Sequence, residues 1–158
     1  KTFYSDSYEL ILDYIGIAIG LNNIIVRGDC NAFSSNTIRV NKTTNCVSSF
    51  IDYLEIVKSS RLSLLVEDEP FGKAIPLNRN IRNAIAHFDY DFDSVTQKFT
   101  FRDKYRNKDA CVELYLVDLA LLCYENMTML AYFDELLYDL CKISYVKEGM
   151  LPHIKSVK

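Results

Sequence analysis

Ala110-Cys111-Val112-Glu113-Leu114-Tyr115-Leu116-Val117-Asp118-Leu119-Ala120-Leu121-Leu122-Cys123-Tyr124 is apolar on almost every side, interrupted only by Glu113 and Asp118. A helix that is hydrophobic all round is one enclosed by its neighbours. The stretch therefore predicts a central helix buried on most faces, forming the first half of a long last helix from about Asp109 to Ser144. Upstream, Tyr8, Ile11, Leu12, Ile15, Ala18 and Ile19 recur at helical spacing and predict a helix from about Ser5 to Val26. Ser5 or Asp6 would be its N-cap. Gly28 and the polar run to Asn45 predict a loop with a short ordered piece at Thr37–Val40. Val47, Phe50, Ile51, Leu54, Val57, Leu62 and Leu65 then mark a second helix from about Thr44 to Val66, broken by the turn-forming Glu67-Asp68-Glu69-Pro70-Phe71-Gly72. A third helix starts at Pro76 or Leu77, where proline suits a first turn, and ends near Phe88. Alternation through Asp89–Arg102, with a turn around Ser94–Gln97, predicts a small β-hairpin. The residues after Gly149, with Pro152, predict an extended tail. The expected architecture is a single all-α domain over residues 1–158, about four main helices with one β-hairpin inserted after the third.

The chain has 158 residues, enough to bury one core. Its net charge of −3 argues against a protein that coats polyanions, yet leaves room for a local cationic cleft. Arg79 and Arg82 lie close together. Arg102, Lys104, Arg106 and Lys108 cluster downstream and read first as a solvated loop. Apolar runs such as Tyr14–Leu21 are too short to span a bilayer and no basic-then-apolar leader is present, so no membrane association is expected. The five cysteines, Cys30, Cys46, Cys111, Cys123 and Cys141, include no C-x-x-C pair, which argues against zinc. Cys111, Cys123 and Cys141 sit in apolar sequence and are expected to be buried thiols, as suits a reducing, cytoplasmic setting. Asn41-Lys42-Thr43 and Asn126-Met127-Thr128 match the glycosylation triplet and read as chance without a secretion signal. An opening at Lys1 rather than Met suggests a processed chain or a piece of a longer one.

The segment with chemistry in it is Arg82-Asn83-Ala84-Ile85-Ala86-His87. Histidine titrates nearest neutrality, and arginine grips phosphate with paired hydrogen bonds. On a helical wheel Ile81, Ala84, Ile85 and Phe88 form a buried stripe, and Arg79, Arg82, Asn83, Ala86 and His87 lie opposite. Arg82 and His87 are then about 140° apart, flanking the small Ala86. Asn83 and His87 are spaced i,i+4, so Asn83 can fix the imidazole tautomer or touch substrate. The plainer reading is that His87 answers the helix dipole and Arg82 is solvated. A polar face with alanine at its centre also permits close approach by a second copy, which would bring two Arg/His pairs together across a two-fold axis.

These six residues resemble the R-x(4–6)-H motif of the HEPN superfamily, including the polar residue directly after the arginine. The R-N-x-x-x-H form is similar to that of the type VI CRISPR effector nucleases. The expected bundle, with the motif on a later helix and a further long helix after it, resembles the family's architecture. The resemblance implies a metal-independent endoribonuclease needing no cofactor, its composite site formed in a homodimer through the Arg82/His87 face. It implies Arg82 and His87 as catalytic, Asn83 as auxiliary to them, and Arg79 beside them as a substrate contact. His87 would act as base on a ribose 2′-OH or as acid on the leaving 5′-oxygen, and Arg82 would stabilise the phosphorane. The products would be a 2′,3′-cyclic phosphate and a 5′-OH, and cleavage would be confined to RNA. Phage defence or a toxin–antitoxin pair, with an antitoxin or other regulatory partner, is the setting the family suggests. Tyr90 lies one position later than the tyrosine of R-x4-H-x-Y, so no modification is expected there. The alternative from another class is a non-catalytic dimerisation or nucleotide- or RNA-binding module.

Asp89, Asp91 and Asp93 alternate like the start of a calcium loop, but Ser94 replaces the required glycine and Thr100 the closing glutamate, which favours a solvated strand. Glu113, Asp118 and Glu125 lack matching i,i+3 ligands and are expected to make structural pairs. His153 is expected in solvent. The tyrosines read as amphipathic packing.

Overall fold

The computed structural model describes residues 1–34, 37–40, 43–75, 77–103 and 110–150. The tail with His153, the cationic residues Lys104, Arg106 and Lys108, and Pro76 fall outside these.

The core is built on α1 (Thr2–Arg27), not on residues 110–124. Tyr4, Tyr8, Ile11, Leu12, Ile15, Ala18 and Ile19 are all buried along it. Each is at the expected spacing. The loop after Gly28 contains a hairpin of β1 (Thr37–Val40) and β2 (Thr43–Cys46), with Thr37 opposite Cys46. The expected second helix is broken into α2 (Phe50–Glu55), α3 (Lys58–Arg61) and a 3₁₀ turn at Leu62–Leu64. Ser49 caps α2 by accepting from the Asp52 N–H at 3.2 Å. Ile56 and Val57 interrupt the helix in extended conformation, as β-branched residues favour. The expected break then contains α4 (Pro70–Ala74), with proline in its first turn. Gly72 is required there, because a Cβ would collide with the Val66 carbonyl oxygen.

The motif helix α5 (Arg79–Ala86) is followed by β3 (Tyr90–Asp93) and β4 (Lys98–Asp103), the expected hairpin. Asp93 closes its turn by accepting from the Val95 N–H and the Thr96 hydroxyl, which lowers its carboxyl pKa. The expectation of an all-α domain is overturned by what comes next. Residues Ala110–Tyr115 are not helix but a third strand, β5, antiparallel to β4 with Thr100 opposite Glu113. Val112 and Leu114 turn inward while Cys111, Glu113 and Tyr115 face out. Six apolar-rich residues satisfy both periods, and the unpaired edge of β4 decides between them. The fold is mixed, with helices beside a three-stranded antiparallel sheet in the order β3-β4-β5. Phe99 and Phe101 of β4 face the core, stacked with centroids 5.5 Å apart, and α5 packs on that strand. The resemblance to an all-helical bundle therefore does not hold for the architecture.

The last helix, α6 (Leu116–Lys147), begins where the Asp118 carboxylate accepts from the Tyr115 N–H at 3.0 Å. It is not enclosed. Leu119, Asn126 and Phe133, seven residues apart, are its fully buried positions. They lie on α1, with Phe133 stacked on Tyr14 at 5.8 Å and Asn126 donating to Ser7 Oγ at 3.0 Å. Residue numbers rise together along both helices, so the pair is parallel. Cys111 and Cys141 are exposed and Cys123 half-buried, which corrects the expectation of buried thiols. By length and composition alone, α1 and α6 could each cross a membrane. For α1 the same apolarity is spent in the core.

Phe101 is 0% exposed, so Phe101→Ala should cost about 3–5 kcal/mol in urea unfolding. Val95→Ala, at the 89% exposed hairpin tip, should change stability by less than about 0.5 kcal/mol.

Candidate functional site

The position of α5 is fixed at its start by two residues. Asn78 is the N-cap, its Oδ1 accepting from the N–H groups of Asn80 (3.0 Å) and Ile81 (3.3 Å). The hydroxyl of the fully buried Tyr4 accepts from the Asn78 N–H at 3.2 Å and donates to the Asn78 carbonyl at 3.4 Å. Burial pushes the Tyr4 pKa up to about 12, so the donor is present throughout the physiological range. Ile81, Ala84 and Ile85 are buried as the wheel requires.

At the other end the helix stops abruptly. The N–H groups of Phe88 and Asp89 reach back to the carbonyls of Ile85 (3.3 Å) and Ala84 (2.9 Å). Phe88 takes a φ of 56° to allow it, a region where glycine is usual. Its ring swings into solvent, 82% exposed, and not into the expected buried stripe. His87 is the C-cap, exposed beside exposed Ala86. Among the described residues its imidazole makes no hydrogen bond or ion pair.

Arg82 is engaged. Its Nε donates to Glu9 Oε1 at 2.8 Å, and its Nη2 pairs with the same oxygen. Nη1 donates to Asn83 Oδ1 at 3.1 Å, so that amide oxygen holds the arginine. The guanidinium carbon stands 6.0 Å from the Tyr8 ring centroid. Lys58 approaches the other Glu9 oxygen at 3.5 Å and pairs with Asp13 at 2.7 Å. Glu9 is the residue that sequence reasoning missed. Its one signal is the i,i+4 spacing with Asp13 on the polar face of α1, and nothing in that spacing names a partner 73 residues away. A guanidinium has five N–H donors, and three are spent on Glu9 and Asn83. Two remain, on a group whose orientation is fixed.

Arg79 and Arg82 both approach Tyr8, Arg79 through a side-chain hydrogen bond. Arg79 also donates from Nη2 to the Ser59 carbonyl at 3.1 Å. It borders a cleft of about 590 Å³ with Leu62, Leu65 and Leu77, in which Glu67 and Asp68 are the other charged residues. An acidic rim repels phosphate, so this cleft does not extend the Arg82 site toward a polyanion. Arg102 is paired with Asp91 across the hairpin, Lys98 with Glu113. Among the described residues no group of three or more His, Cys, Asp and Glu side chains is placed to hold a metal ion.

Tyr4→Phe removes the hydroxyl that holds Asn78 and leaves a part-buried N–H without its partner. We expect a loss of about 1–2 kcal/mol. The sign with pH follows from the raised pKa. The unfolded tyrosine ionises near 10 and the folded one near 12, so stability is complete below pH 10 and declines as pH rises through this interval. A phenolate absorbance titration should show one fewer late-ionising tyrosine in Tyr4→Phe than in wild type, where the pKa values of Tyr8, Tyr14 and Tyr53 are raised as well. Phe88→Gly should raise stability by about 1 kcal/mol, since it relieves a positive φ with no buried contact to lose. No family model, curated protein or solved structure matches the chain.

Proposed function

We propose that the outward face of α5 is the working part of a metal-independent endoribonuclease of the HEPN type. The observation that supports this most directly is an exposed imidazole, without partners among the described residues, beside a guanidinium on the same short helix that is fixed by Glu9 and has two donors unspent among those residues. Such an arginine is preorganised, and it can add two hydrogen bonds to a phosphate oxygen without first being ordered. His87 supplies the proton transfer, drawing on the 2′-OH or protonating the leaving 5′-oxygen. Five residues of helix separate the two by about 7.5 Å along the axis. A second α5, seated against the exposed Ala86, would set one copy's arginine beside the other's histidine. In that arrangement Asn83 acts through Arg82, as a positioning residue.

One observation favours a second reading, a binding or dimerisation module without catalysis. The Arg82–Glu9 pair joins α5 to α1, and a guanidinium spent on an internal carboxylate has a structural role by itself.

The two readings part in a cleavage assay on a mixed RNA pool in EDTA. For the nuclease, wild type leaves 2′,3′-cyclic phosphate ends. His87→Ala then loses about 10²–10⁴-fold in rate and Arg82→Ala about 10²–10³-fold. Equal background from all three folded proteins rejects catalysis at α5. Retained RNA affinity in that case, lost in Arg82→Ala, is the outcome expected of the binding module.

A further inference from the structure

One side of α6 carries a pattern that, among the described residues, only the Asp134–Tyr14 contact ties to another element. From Ala120 the steps +4, +3, +4, +3, +4, +3, +4 lead to Tyr145, and every residue they touch is exposed. This is the 4-3 spacing of a helix-pairing seam. It is separate from the side that packs on α1, which is centred on Leu119, Asn126 and Phe133. It extends over 25 residue steps, about 38 Å. Asp134 is its one charged position, and Asp134 faces the Tyr14 hydroxyl and raises that group's pKa by charge and hydrogen bonding.

We infer that this seam joins two copies of the chain as an antiparallel helix pair, centred between Ala131 and Asp134. The inference goes beyond the reading of α5 and is independent of it, because Arg82 docks on a different side of α1 from the one α6 covers.

Size matching supports a second copy as the occupant. An antiparallel pairing about that centre sets Ala120 against Tyr145, Tyr124 against Cys141 and Ala131 against Asp134, each large side chain meeting a smaller one. The remaining layer sets Met127, an adaptable side chain, against Tyr138. A parallel pairing in register would instead stack Tyr124 on Tyr124 and Tyr138 on Tyr138, large on large. The area is also sufficient. Tyr124, Met127, Tyr138 and Tyr145 are each more than half exposed, and Leu121 and Leu137, 55% and 40% exposed, flank the seam on either side. At on the order of 100 Å² apiece, these and their small neighbours offer roughly 700–800 Å², close to the ~800 Å² that each partner gives to a stable dimer. A lone monomer seldom leaves so large an apolar patch bare. A lipid surface fits less well. From residue 134 to its end α6 carries Asp134, Glu135 and Asp139 against Lys142 and Lys147, with Glu148 as the C-cap, an acidic balance where membrane-surface helices are basic.

Light scattering on the full chain at micromolar concentration provides the first test. In an Ala86→Glu background, which closes the α5 face to a second copy, the chain should have about twice its 18.2 kDa mass, and adding Ala131→Glu or Tyr138→Glu should bring it to one chain with unchanged circular dichroism. A monomer in that background overturns the inference, whether it stays in solution or moves onto phosphatidylcholine–phosphatidylglycerol vesicles. So does a dimer there that survives both substitutions. Orientation is tested by mild oxidation and peptide mapping. Tyr124→Cys should cross-link to the native Cys141 of the second copy, while wild type should not link through this seam. Wild-type cross-linking from Cys141 to Cys141 would instead establish a parallel pair and overturn the arrangement. A dimer in which Tyr124→Cys fails to reach Cys141 would likewise reject the register. Loss of RNA cleavage plays no part in these readouts, so failure here and failure at α5 are separately visible.

Discussion

The buried hydroxyl of Tyr4 holds both backbone groups of Asn78, and the placement of α5 depends on it. Asn78 is where the chain turns into the helix, so its cap geometry and the helix entry angle are set by one side chain of α1. Glu9, five residues further along α1, then fixes Arg82. Both ends of the α5 contact thus come from one element that is itself the most buried in the protein. A polar anchor suits this position. Apolar packing of Ile81, Ala84 and Ile85 would tolerate sliding, whereas a hydrogen-bonded hydroxyl tolerates very little.

The same arrangement explains why the Arg82 ion pair does not by itself decide between structure and catalysis. A guanidinium with no internal partner would be mobile and would lose entropy on gripping a phosphate. One held by a carboxylate has already lost that freedom, at the cost of part of its positive field. Glu9 is about one-third exposed and shared with Lys58, so the local charge is not simply cancelled. Phe88, with its left-handed φ of 56°, projects beside His87.

Much of this was legible in the sequence where local physics dominates. The α1 stripe and the α5 stripe at Ile81, Ala84 and Ile85 follow from periodicity, and the β3–β4 hairpin from alternation and its turn. Reading failed where a partner far along the chain decides. Residues 110–115 fit strand and helix equally, and only the waiting edge of β4 selects strand. Val57 and Ile56 ended a helix that apolar spacing alone would have continued. The ring of Phe88 was assigned inward because nothing local says that the helix stops one residue earlier. The error over α6 is the most instructive. All-round apolarity predicts burial within the chain, but a helix can be apolar all round when one side meets α1 and the other is bare.

The parallel union of α1 and α6 also bears on how the chain comes to be folded. Ser7 and Asn126 are 119 residues apart, so the contact closes a very long loop. While the ribosome is still producing the sheet, α1 is already complete, with the apolar face meant for α6 uncovered. Loop closure over such a span is slow, and an exposed apolar helix in that interval invites wrong partners. The α5 and β4 segments arrive earlier and can cover the opposite side of α1 first. Folding would then proceed from the Tyr4–Asn78 side outward, with α6 docking last, and translation speed through residues 116–133 would govern how long the nascent chain depends on chaperones.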